Sequence, residues 1–293
     1  MTTAQLPLVV GVDGSEPSLR AVDWAADEAV LRGAPLRLVY ACLWERYEGA
    51  ALARDIGKPS TQVLPQEIAT GAARRARARQ PGLEVSSEVV FEEPEYVLVR
   101  EGRKAAAVVV GTRGRGGLAE ALLGSVSLTV AAHAHCPVIV LRGSHDNQVT
   151  PSVHGRVVLG VGDDVKDSAA VRFAFDEARR RGVPLEAVRA WRCPAHESTD
   201  HPLLAGEPAR LHEKHAEEAL AEALRDAPSD VELHSRVVEG NARQVLVDLS
   251  HRADLLVVGA RHRNGHFGLQ LGRVAHAMLH HSACPVAVVP QQA

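Results

Sequence analysis

The chain has 293 residues, which at about 150 residues per domain predicts two domains, each large enough to bury a core. Hydrophobic residues make up 46% and charged residues 24%, proportions that are typical of globular proteins and exclude extensive disorder. Lys and Arg number 33 against 36 Asp and Glu, so the net charge is -3, and aromatic residues make up 3%; we therefore expect neither nucleic acid nor an anionic membrane as a partner.

Further features indicate a cytoplasmic protein. The apolar runs fall short of the roughly 18 residues that a membrane-spanning helix needs. The first residues, MTTAQLPLVVGVDGS, lack the basic flank of a signal peptide. The 4 cysteines have no CxxC spacing, so we expect reduced core residues and neither a disulfide framework nor a zinc site.

The first half of the chain alternates strand and helix patterns. Short apolar, β-branched runs predict strands buried on both faces, and residues with apolar positions at helical spacing follow them. Ser15 is expected to cap the first helix and Gly33 to end it. Five strands separated by helices predict a doubly wound parallel sheet. The predicted strands are residues 8–12, 36–41, 85–90, 105–110 and 138–141, and the predicted later helices are residues 66–79, 94–104 and 125–133.

The second half of the chain repeats the first. When the two strand-helix-strand stretches are aligned, Gly33 and Pro35 fall on Gly182 and Pro184, and the ends HCPVIVL and ACPVAVV also match. Such self-similarity indicates a tandem duplication of one fold. The stretch GSHDNQVTPSVHG, residues 143–155, is rich in breakers and is the expected linker. The domains are therefore predicted at residues 1–143 and 155–293.

The exit of the fourth strand carries a ligand signal. Doubly wound sheets bind ligands beyond the carboxyl ends of their strands, and here VVVG runs into TRGRGGLAEALLGSVS. Gly111 and Gly114 allow close backbone approach, and Ser125 begins a helix whose first N–H groups suit phosphate. Arg113 and Arg115 add positive charge. The alternative is that these glycines serve only the geometry of a strand-to-helix turn.

Asp13, at the exit of the first strand, also has two interpretations. Its carboxylate either caps the following helix together with Ser15 or accepts a hydrogen bond from the base or ribose of a nucleotide. The glycine-rich loop is not a Walker loop, since no GxxxxGKS/T occurs. It is not a GxGxxG turn either, because that turn would follow the first strand. We predict no catalytic residue and no metal site.

A family resemblance follows from several motifs together. The chain combines Gly111-x2-Gly114-x9-Gly124-Ser125 after a VVVG strand with VGVDGS at the first strand and CPVIVL at the last. This combination resembles the ATP-binding branch of the universal stress protein family, and the resemblance covers both halves. It implies two tandem five-stranded parallel sheets of the adenine nucleotide α-hydrolase-like fold, with strand order 3-2-1-4-5. It also implies ATP as the ligand, slow or no hydrolysis, and a role in stress survival and dormancy, and it leaves open whether Mg2+ accompanies ATP.

The resemblance also implies which residues bind the nucleotide. Asp13 would hold the adenine or ribose side, and Ala41 would line the base pocket. Gly11 and Val12 would flank the adenine. The ribose and the phosphates would contact Gly111, Gly114, Gly124, Ser125 and Val126.

The second half departs from this pattern. Gly162, His262 and Arg273 stand where the first half has aspartate, glycine and serine. Since a histidine side chain fills space that a phosphate would approach, we expect the second site to be lost or much weakened. The alternative is that the basic side chains of this half, Arg261, His262, Arg263 and Arg273, bind an anion or a different nucleotide.

The first functional hypothesis is an ATP-binding regulator or sensor that acts through an unidentified protein partner. The second is an enzyme of the adenine nucleotide α-hydrolase group that cleaves ATP. The third is a stress protein that binds its partner without nucleotide. No feature of the sequence identifies a catalytic base for the second.

The last strand of each half bears on assembly. Residues 138–141 and 286–289 are predicted edge strands, which need covering. In the family, the corresponding strands pair across a dimer. The resemblance therefore implies an internal pseudo-dimer of the two halves, and a further homodimer fits the same pattern.

Overall fold

The computed structural model describes residues 5–43, 65–112, 123–141, 154–162, 168–193, 207–261 and 271–291. The chain divides into two compact units, one for each repeat. Strand pairs within each unit are parallel. Among the described residues, no helix has both the length and the apolar character needed to cross a membrane.

The first unit alternates strands and helices along the chain. Its strands are β1 (Leu8–Gly11), β2 (Leu36–Ala41), β3 (Val85–Val90), β4 (Ala107–Gly111) and β5 (Val138–Leu141). Its described helices are α1 (Glu16–Arg32), α2 (Pro65–Arg79), α3 (Pro94–Glu101) and α4 (Ser125–His133). The strands lie in the order β3-β2-β1-β4-β5. The predicted fold and strand order are confirmed for this unit.

The second unit repeats this architecture. Its strands are β6 (Val157–Gly160), β7 (Leu185–Trp191), β8 (Leu233–Glu239), β9 (Leu255–Arg261) and β10 (Val286–Gln291). Its described helices are α5 (Ala169–Arg181), α6 (Glu207–Ala223), α7 (Ala242–Ser250) and α8 (Arg273–His281). The strand order β8-β7-β6-β9-β10 is equivalent to that of the first unit. The duplication inferred from sequence is therefore a duplication of structure.

The central strands are apolar because helices cover both faces of each sheet. In β1, Leu8 and Val10 have no exposed surface, and in β4 the same holds for Val108 and Val109. All four residues of β5 are buried. These continuous β-branched runs form the core and hold the carboxyl ends of the strands in place.

Side chains and glycines set the ends of the first helix. Ser15 Oγ accepts a hydrogen bond from the Ser18 N–H at 3.4 Å, which makes Ser15 the N-cap of α1. Gly33 has a φ of 63° and donates its N–H to Val30 O at 3.0 Å, which ends the helix in the left-handed conformation. Both expectations for this helix are confirmed. Gly182, with a φ of 65°, ends α5 in the same way.

Two predicted boundaries near residue 105 are wrong. The helix predicted at residues 94–104 ends at Glu101, and a 3-10 turn, Gly102–Lys104, follows it. The Ala105 N–H still donates to Gly102 O at 3.4 Å, so this residue belongs to the turn and not to the strand. Pairing with β1 begins only at Ala107, opposite Leu8, and β4 extends one residue further than predicted, to Gly111.

A buried pair of a glutamate and an arginine occupies equivalent positions in the two units. In α1, Glu28 Oε1 lies 2.6 Å from Arg32 Nε, and their side chains are 2% and 8% exposed. In α5, Glu177 is paired with Arg181, and their side chains are 0% and 5% exposed. Both members of each pair lie in one helix, four residues apart, so each pair stabilises the last turn of its helix and neutralises a charge that would be costly to bury alone.

Three of the four cysteines are core residues, as the sequence predicts. Cys42, Cys136 and Cys284 are buried, and Cys193 is half-buried, which corrects the prediction for that residue. Burial raises the pKa of Cys136 and that of Cys284 to about 12. Both of these thiols are therefore neutral near pH 7 and unsuited to nucleophilic chemistry.

Candidate functional site

The predicted site residues of the first repeat lie at one edge of the sheet. Gly11 pairs with Val39, so Asp13 and Ala41 each lie two residues beyond this pair. Gly111 ends β4, the strand on the other side of β1. The carboxyl ends of three neighbouring strands therefore surround the crevice in which such sheets bind ligands.

Asp13 organises the turn between β1 and α1. Its Oδ1 accepts hydrogen bonds from the Ser15 N–H at 2.9 Å and from Ser15 Oγ at 2.6 Å. Gly14 between them has a φ of 79°, which favours glycine. The helix-capping interpretation of Asp13 is thus present in the structure. Both bonds use Oδ1, and an ionised carboxylate has a second acceptor oxygen that is compatible with the binding role.

The residues predicted to surround the adenine are apolar and lie at the exits of β1 and β2. A Cβ at Gly11 would lie 2.8 Å from Cδ1 of Leu98 in α3, so glycine allows this helix to pack closely on β1. Val12 is buried, and its N–H donates to Val39 O at 3.0 Å. Ala41 is half-buried at the end of β2. Packing explains the glycine at position 11.

Gly111 is required by the close approach of α1. A Cβ at this position would lie 2.7 Å from both the carbonyl carbon and the carbonyl oxygen of Pro17. The Gly111 carbonyl accepts a hydrogen bond from Ser127 Oγ at 2.6 Å. Ser18, next to Pro17, accepts from the Asp13 N–H at 3.3 Å. The first turns of α1 and α4 therefore meet at Gly111, and they link the exits of β1 and β4.

The start of α4 has the features of an anion site. Gly124 is its N-cap, with φ -70° and ψ 152°, and no side-chain hydrogen bond caps the helix within the described residues. The Gly124 N–H donates to Thr112 O at 2.5 Å, which brings together the two described ends of the glycine-rich loop. The first N–H groups of a helix have no partner within it and carry partial positive charge. Ser125 is exposed and Val126 half-buried at this end.

Three residues that contact the predicted site escape sequence reasoning. Pro17 contacts Gly111, Ser127 fixes the carbonyl of the same glycine, and Glu95 Oε1 lies 3.4 Å from Ser125 Oγ. Ser127 lies next to the glycine-serine motif, and Glu95 belongs to the acidic stretch EEPE. Neither sequence feature indicates the contact, because each contact joins segments that are distant in sequence.

Part of the predicted site lies outside the described residues. Arg113, Gly114 and Arg115 fall between residues 112 and 123, where the described chain is interrupted. Their roles toward phosphate stay predictions. The described part of the site consists of Gly11, Val12, Asp13, Ala41, Gly111, Gly124, Ser125 and Val126.

The second repeat keeps the packing framework of this edge. A Cβ at Gly160 would lie 2.8 Å from Cδ1 of Leu246, the same distance as in the first repeat. The Val161 N–H donates to Val188 O at 2.9 Å. Gly272 is the N-cap of α8, with φ -61° and ψ 154°, and none of the side-chain hydrogen bonds described there caps this helix.

The groups at the edge differ between the repeats. Gly124 is aligned with Gly272. In this alignment Arg273 replaces Ser125, and Arg243 replaces Glu95. Ala275 replaces the buried Ser127. Arg273 and Arg243 are exposed, and Ala275 is buried. Gly162, at the position of the site aspartate, is also exposed, and His262 lies outside the described residues. The second edge therefore lacks the acidic and hydroxyl groups of the first at these positions.

Gln291 adds a second difference. Its Nε2 lies 2.6 Å from the position that a Cβ at Gly259 would take. At the equivalent residue of the first repeat, Gly111, the nearest atoms are those of the Pro17 backbone. The Gln291 Oε1 accepts from the Ala169 N–H at 3.2 Å, and its Nε2 donates to Ser168 Oγ at 3.1 Å. A side-chain amide thus fills space that a helix backbone fills in the first repeat.

The fold class of the protein is clear from its strand order, and its family is clear from the family model that it matches. A parallel sheet of order 3-2-1-4-5 with glycines at its carboxyl edge has the adenine nucleotide α-hydrolase-like fold. The model of the Universal stress protein family matches residues 7–142 and again residues 154–290. The chain therefore belongs to the universal stress protein family and contains two family domains in tandem.

Relatives match over nearly the whole chain. The universal stress protein Rv2005c of Mycobacterium tuberculosis is 35% identical over 304 residues, covering 97% of this chain and 97% of its own length. The universal stress protein Rv1996 of the same organism is 35% identical over 313 residues, covering 98% and 96%. The crystal structure of a universal stress protein from Archaeoglobus fulgidus has a TM-score of 0.67 at 17% identity and covers 98% of each chain, a likeness of fold.

Proposed function

We propose that the first repeat binds ATP and that the protein acts as a regulator or sensor in the stress response or in dormancy, with little or no hydrolysis. The observation that carries this proposal is the start of α4 together with Ser125 and the Asp13 carboxylate. The second repeat has the same kind of glycine N-cap at α8 but has Arg273 and Gly162 at the other two positions. At the start of α4, the glycine N-cap and the absence of a side-chain cap among the described residues leave the first-turn N–H groups facing the ligand edge. Membership of the universal stress protein family supports the stress role.

The phosphates would bind at the start of α4. Hydrogen bonds to a charged group are worth about 1.5 to 3 kcal/mol each, so a few first-turn N–H groups supply substantial affinity without a lysine. The Ser125 hydroxyl adds a side-chain donor at the same end. Arg113, Gly114 and Arg115 would complete the phosphate contacts from the glycine-rich loop.

The nucleoside would bind near the exits of β1 and β2, across the first turn of α1 from the phosphates. The second carboxylate oxygen of Asp13 would accept a hydrogen bond from the ribose or the base. Gly11, Val12 and Ala41 supply the apolar walls that a base requires. Hydrogen-bonding and packing groups are sufficient to hold the nucleoside in this arrangement. The arrangement therefore fits nucleotide binding better than catalysis.

The regulatory role would follow from thermodynamic linkage between ATP binding and partner binding. ATP shifts a conformational equilibrium only when two states bind it with different affinity, so the partner would recognise the state that ATP favours. We place this activity in the cytoplasm. The internal pseudo-dimer and the homodimer that the family implies stay predictions, as does the accompanying Mg2+.

The proposal is tested on the purified full chain. Mass spectrometry of released small molecules and calorimetry with added ATP measure binding, and a phosphate-release assay measures turnover. Gly114→Glu puts a carboxylate in the predicted phosphate loop and should abolish binding. His262→Glu makes the equivalent change in the second repeat and should leave ATP binding intact.

The outcomes separate the three functional hypotheses. ATP that is bound by the wild type, lost in Gly114→Glu and not turned over supports the proposal. Rapid phosphate release would instead favour an ATP-cleaving enzyme. Absence of ATP binding by the wild type would favour a nucleotide-independent stress protein and would overturn the proposal.

A further inference from the structure

A cavity of the second unit lies at the amino ends of three neighbouring strands, β6, β7 and β8. It has a volume of about 290 Å³ and is lined by Arg156, Pro184, Glu186 and His234. Arg156 directly precedes β6, and Pro184 directly precedes β7. Glu186 of β7 pairs in register with His234 of β8. The cavity is therefore at the opposite end of the sheet from the carboxyl edge, where ligands of this fold usually bind.

The charged groups of this cavity centre on a buried carboxylate. Oε1 of Glu186 accepts a hydrogen bond from Nε of Arg236 at 2.9 Å, and its Oε2 accepts one from Nη1 of Arg156 at 3.3 Å. Two guanidinium groups thus share one carboxylate. Among these three side chains, one positive charge is left without a negative partner.

Two further carboxylates near the cavity make other bonds. Oε1 of Glu232 lies 3.0 Å from Nε2 of His234, and both side chains are exposed. The buried Asp254 accepts the backbone N–H groups of His154 and Arg156 at 2.8 and 3.1 Å. These bonds involve neither guanidinium group, so they leave the excess of arginine charge beside the buried glutamate.

One hydrogen-bond donor at the cavity is buried without an acceptor. Nε of Arg156 is shielded from solvent and has no hydrogen-bond partner among the described residues. Buried polar groups in folded proteins are nearly always hydrogen-bonded, so such a donor calls for an acceptor. The Arg156 side chain as a whole is half-buried, which leaves the guanidinium group within reach of a solute. An acceptor that enters the cavity would therefore satisfy Nε.

The first repeat has the opposite charges at this end of its sheet. Arg37, aligned with the buried glutamate of the second repeat, donates hydrogen bonds to Glu88 and to Glu101, the latter at 2.8 Å. Pro7 is aligned with Arg156. One guanidinium group is thus shared by two carboxylates. The excess of positive charge belongs to the second repeat alone.

We propose that the cavity binds a small organic monocarboxylate. Arginine donates two parallel hydrogen bonds to a planar carboxylate. Since Nη1 of Arg156 bonds to Glu186, the other side of the guanidinium group, formed by Nε and Nη2, would hold the ligand. Pro184 offers an apolar contact to a short carbon chain. The volume is sufficient, because a cavity of about 150 Å³ already accommodates benzene.

NMR titration of the isotope-labelled full chain tests the proposal. The Arg156 Nε–H signal, identified by its loss in Arg156→Lys, is followed as sodium butyrate is added. A parallel titration uses butyramide, a neutral amide of similar shape. We expect butyrate to shift the signal until the shift saturates, and butyramide to leave it unchanged, because only the carboxylate brings a negative charge.

Three variants make the result specific, with the backbone N–H of residue 186 as the reporter. Arg156→Lys keeps the charge but loses the planar fork, so the Kd for butyrate should rise about tenfold. Glu186→Gln removes a negative charge that repels the ligand, so the Kd should fall about threefold, a gain that a folding defect cannot produce. Arg179→Lys changes an exposed ion pair of the same unit and should keep the wild-type Kd.

The proposal is wrong if butyrate leaves the Arg156 Nε–H signal unchanged, since water would then be the partner of this donor. Equal shifts with butyramide, or a saturable shift with inorganic phosphate and none with butyrate, would overturn the assignment to a carboxylate. An unchanged Kd in Arg156→Lys would overturn the role of the guanidinium group. ATP binding by the first repeat does not depend on any of these results.

Discussion

The two repeats share the packing contacts at the ligand edge and differ in the groups that would meet a ligand. A glycine in the first strand of each lies against a leucine at the same distance, and a glycine begins the last helix of each with nearly the same torsion angles. At the ends of two neighbouring helices, Glu95 and Ser125 in the first repeat are replaced by Arg243 and Arg273 in the second.

This difference teaches that fold and ligand chemistry are separable in this chain. The shared glycine of the first strand sits where a Cβ would collide with a buried leucine, so exchanging either residue costs stability. Glu95 and Ser125, and the two arginines that replace them, are half-buried or exposed at the carboxyl edge of each sheet, where a change of charge costs little stability. A duplicated domain can therefore keep its architecture while one copy loses or changes its ligand.

The largest effects should come from the buried carboxylate that both repeats keep. Glu28→Ala and Glu177→Ala remove the buried carboxylates that pair with Arg32 and Arg181, so each should lower the free energy of unfolding by about 3 to 5 kcal/mol. Urea denaturation measures the loss, and hydrogen exchange should place it in the mutated repeat. Glu93→Ala, at an exposed residue, is the control. A loss in only one repeat would break the claim of a shared framework.

A smaller and unequal effect should come from the equivalent glycines in the fourth strand of each repeat, Gly111 and Gly259. Gly111→Ala pushes against the backbone of Pro17 and should cost about 2 to 3 kcal/mol, as overpacking does. Gly259→Ala meets only the end of the Gln291 side chain and should cost about 1 kcal/mol, the worth of the hydrogen bonds disturbed. Thermal unfolding without added nucleotide measures both. Equal losses would show that the two edges do not differ in this way.

Sequence reasoning succeeds where local chemistry decides the structure. The strand of residues 36–41 and the helix of residues 125–133 have their predicted bounds, because a continuous apolar run and a glycine-serine start are local signals. Glu95 beside Ser125 and Pro17 against Gly111 could not be predicted, since folding brings these segments together from distant parts of the chain. Alignment of the repeats identified the replaced site residues and gave no indication of the Gln291 contacts.

The smallest effect should come from the Ser127 hydroxyl of α4, which is absent from α8 because Ala275 takes its place. Ser127→Ala removes the donor to Gly111 O, a 2.6 Å bond in a buried setting, and should lower the free energy of unfolding by about 1 kcal/mol. Ser125→Ala, at an exposed residue, should change it by less than about 0.5 kcal/mol. Urea midpoints compare the two variants. A larger loss for the exposed serine would contradict the assignment of Ser127 as the structural hydroxyl.

The central claim is that only the first repeat binds ATP. Titration calorimetry of the full chain with ATP, in the presence of Mg2+, measures the number of sites directly. We expect one site per chain, which Gly114→Glu abolishes and His262→Glu preserves. Two tight, equivalent sites per chain would contradict the account, because the second edge would then bind nucleotide despite Gly162, Arg243 and Arg273.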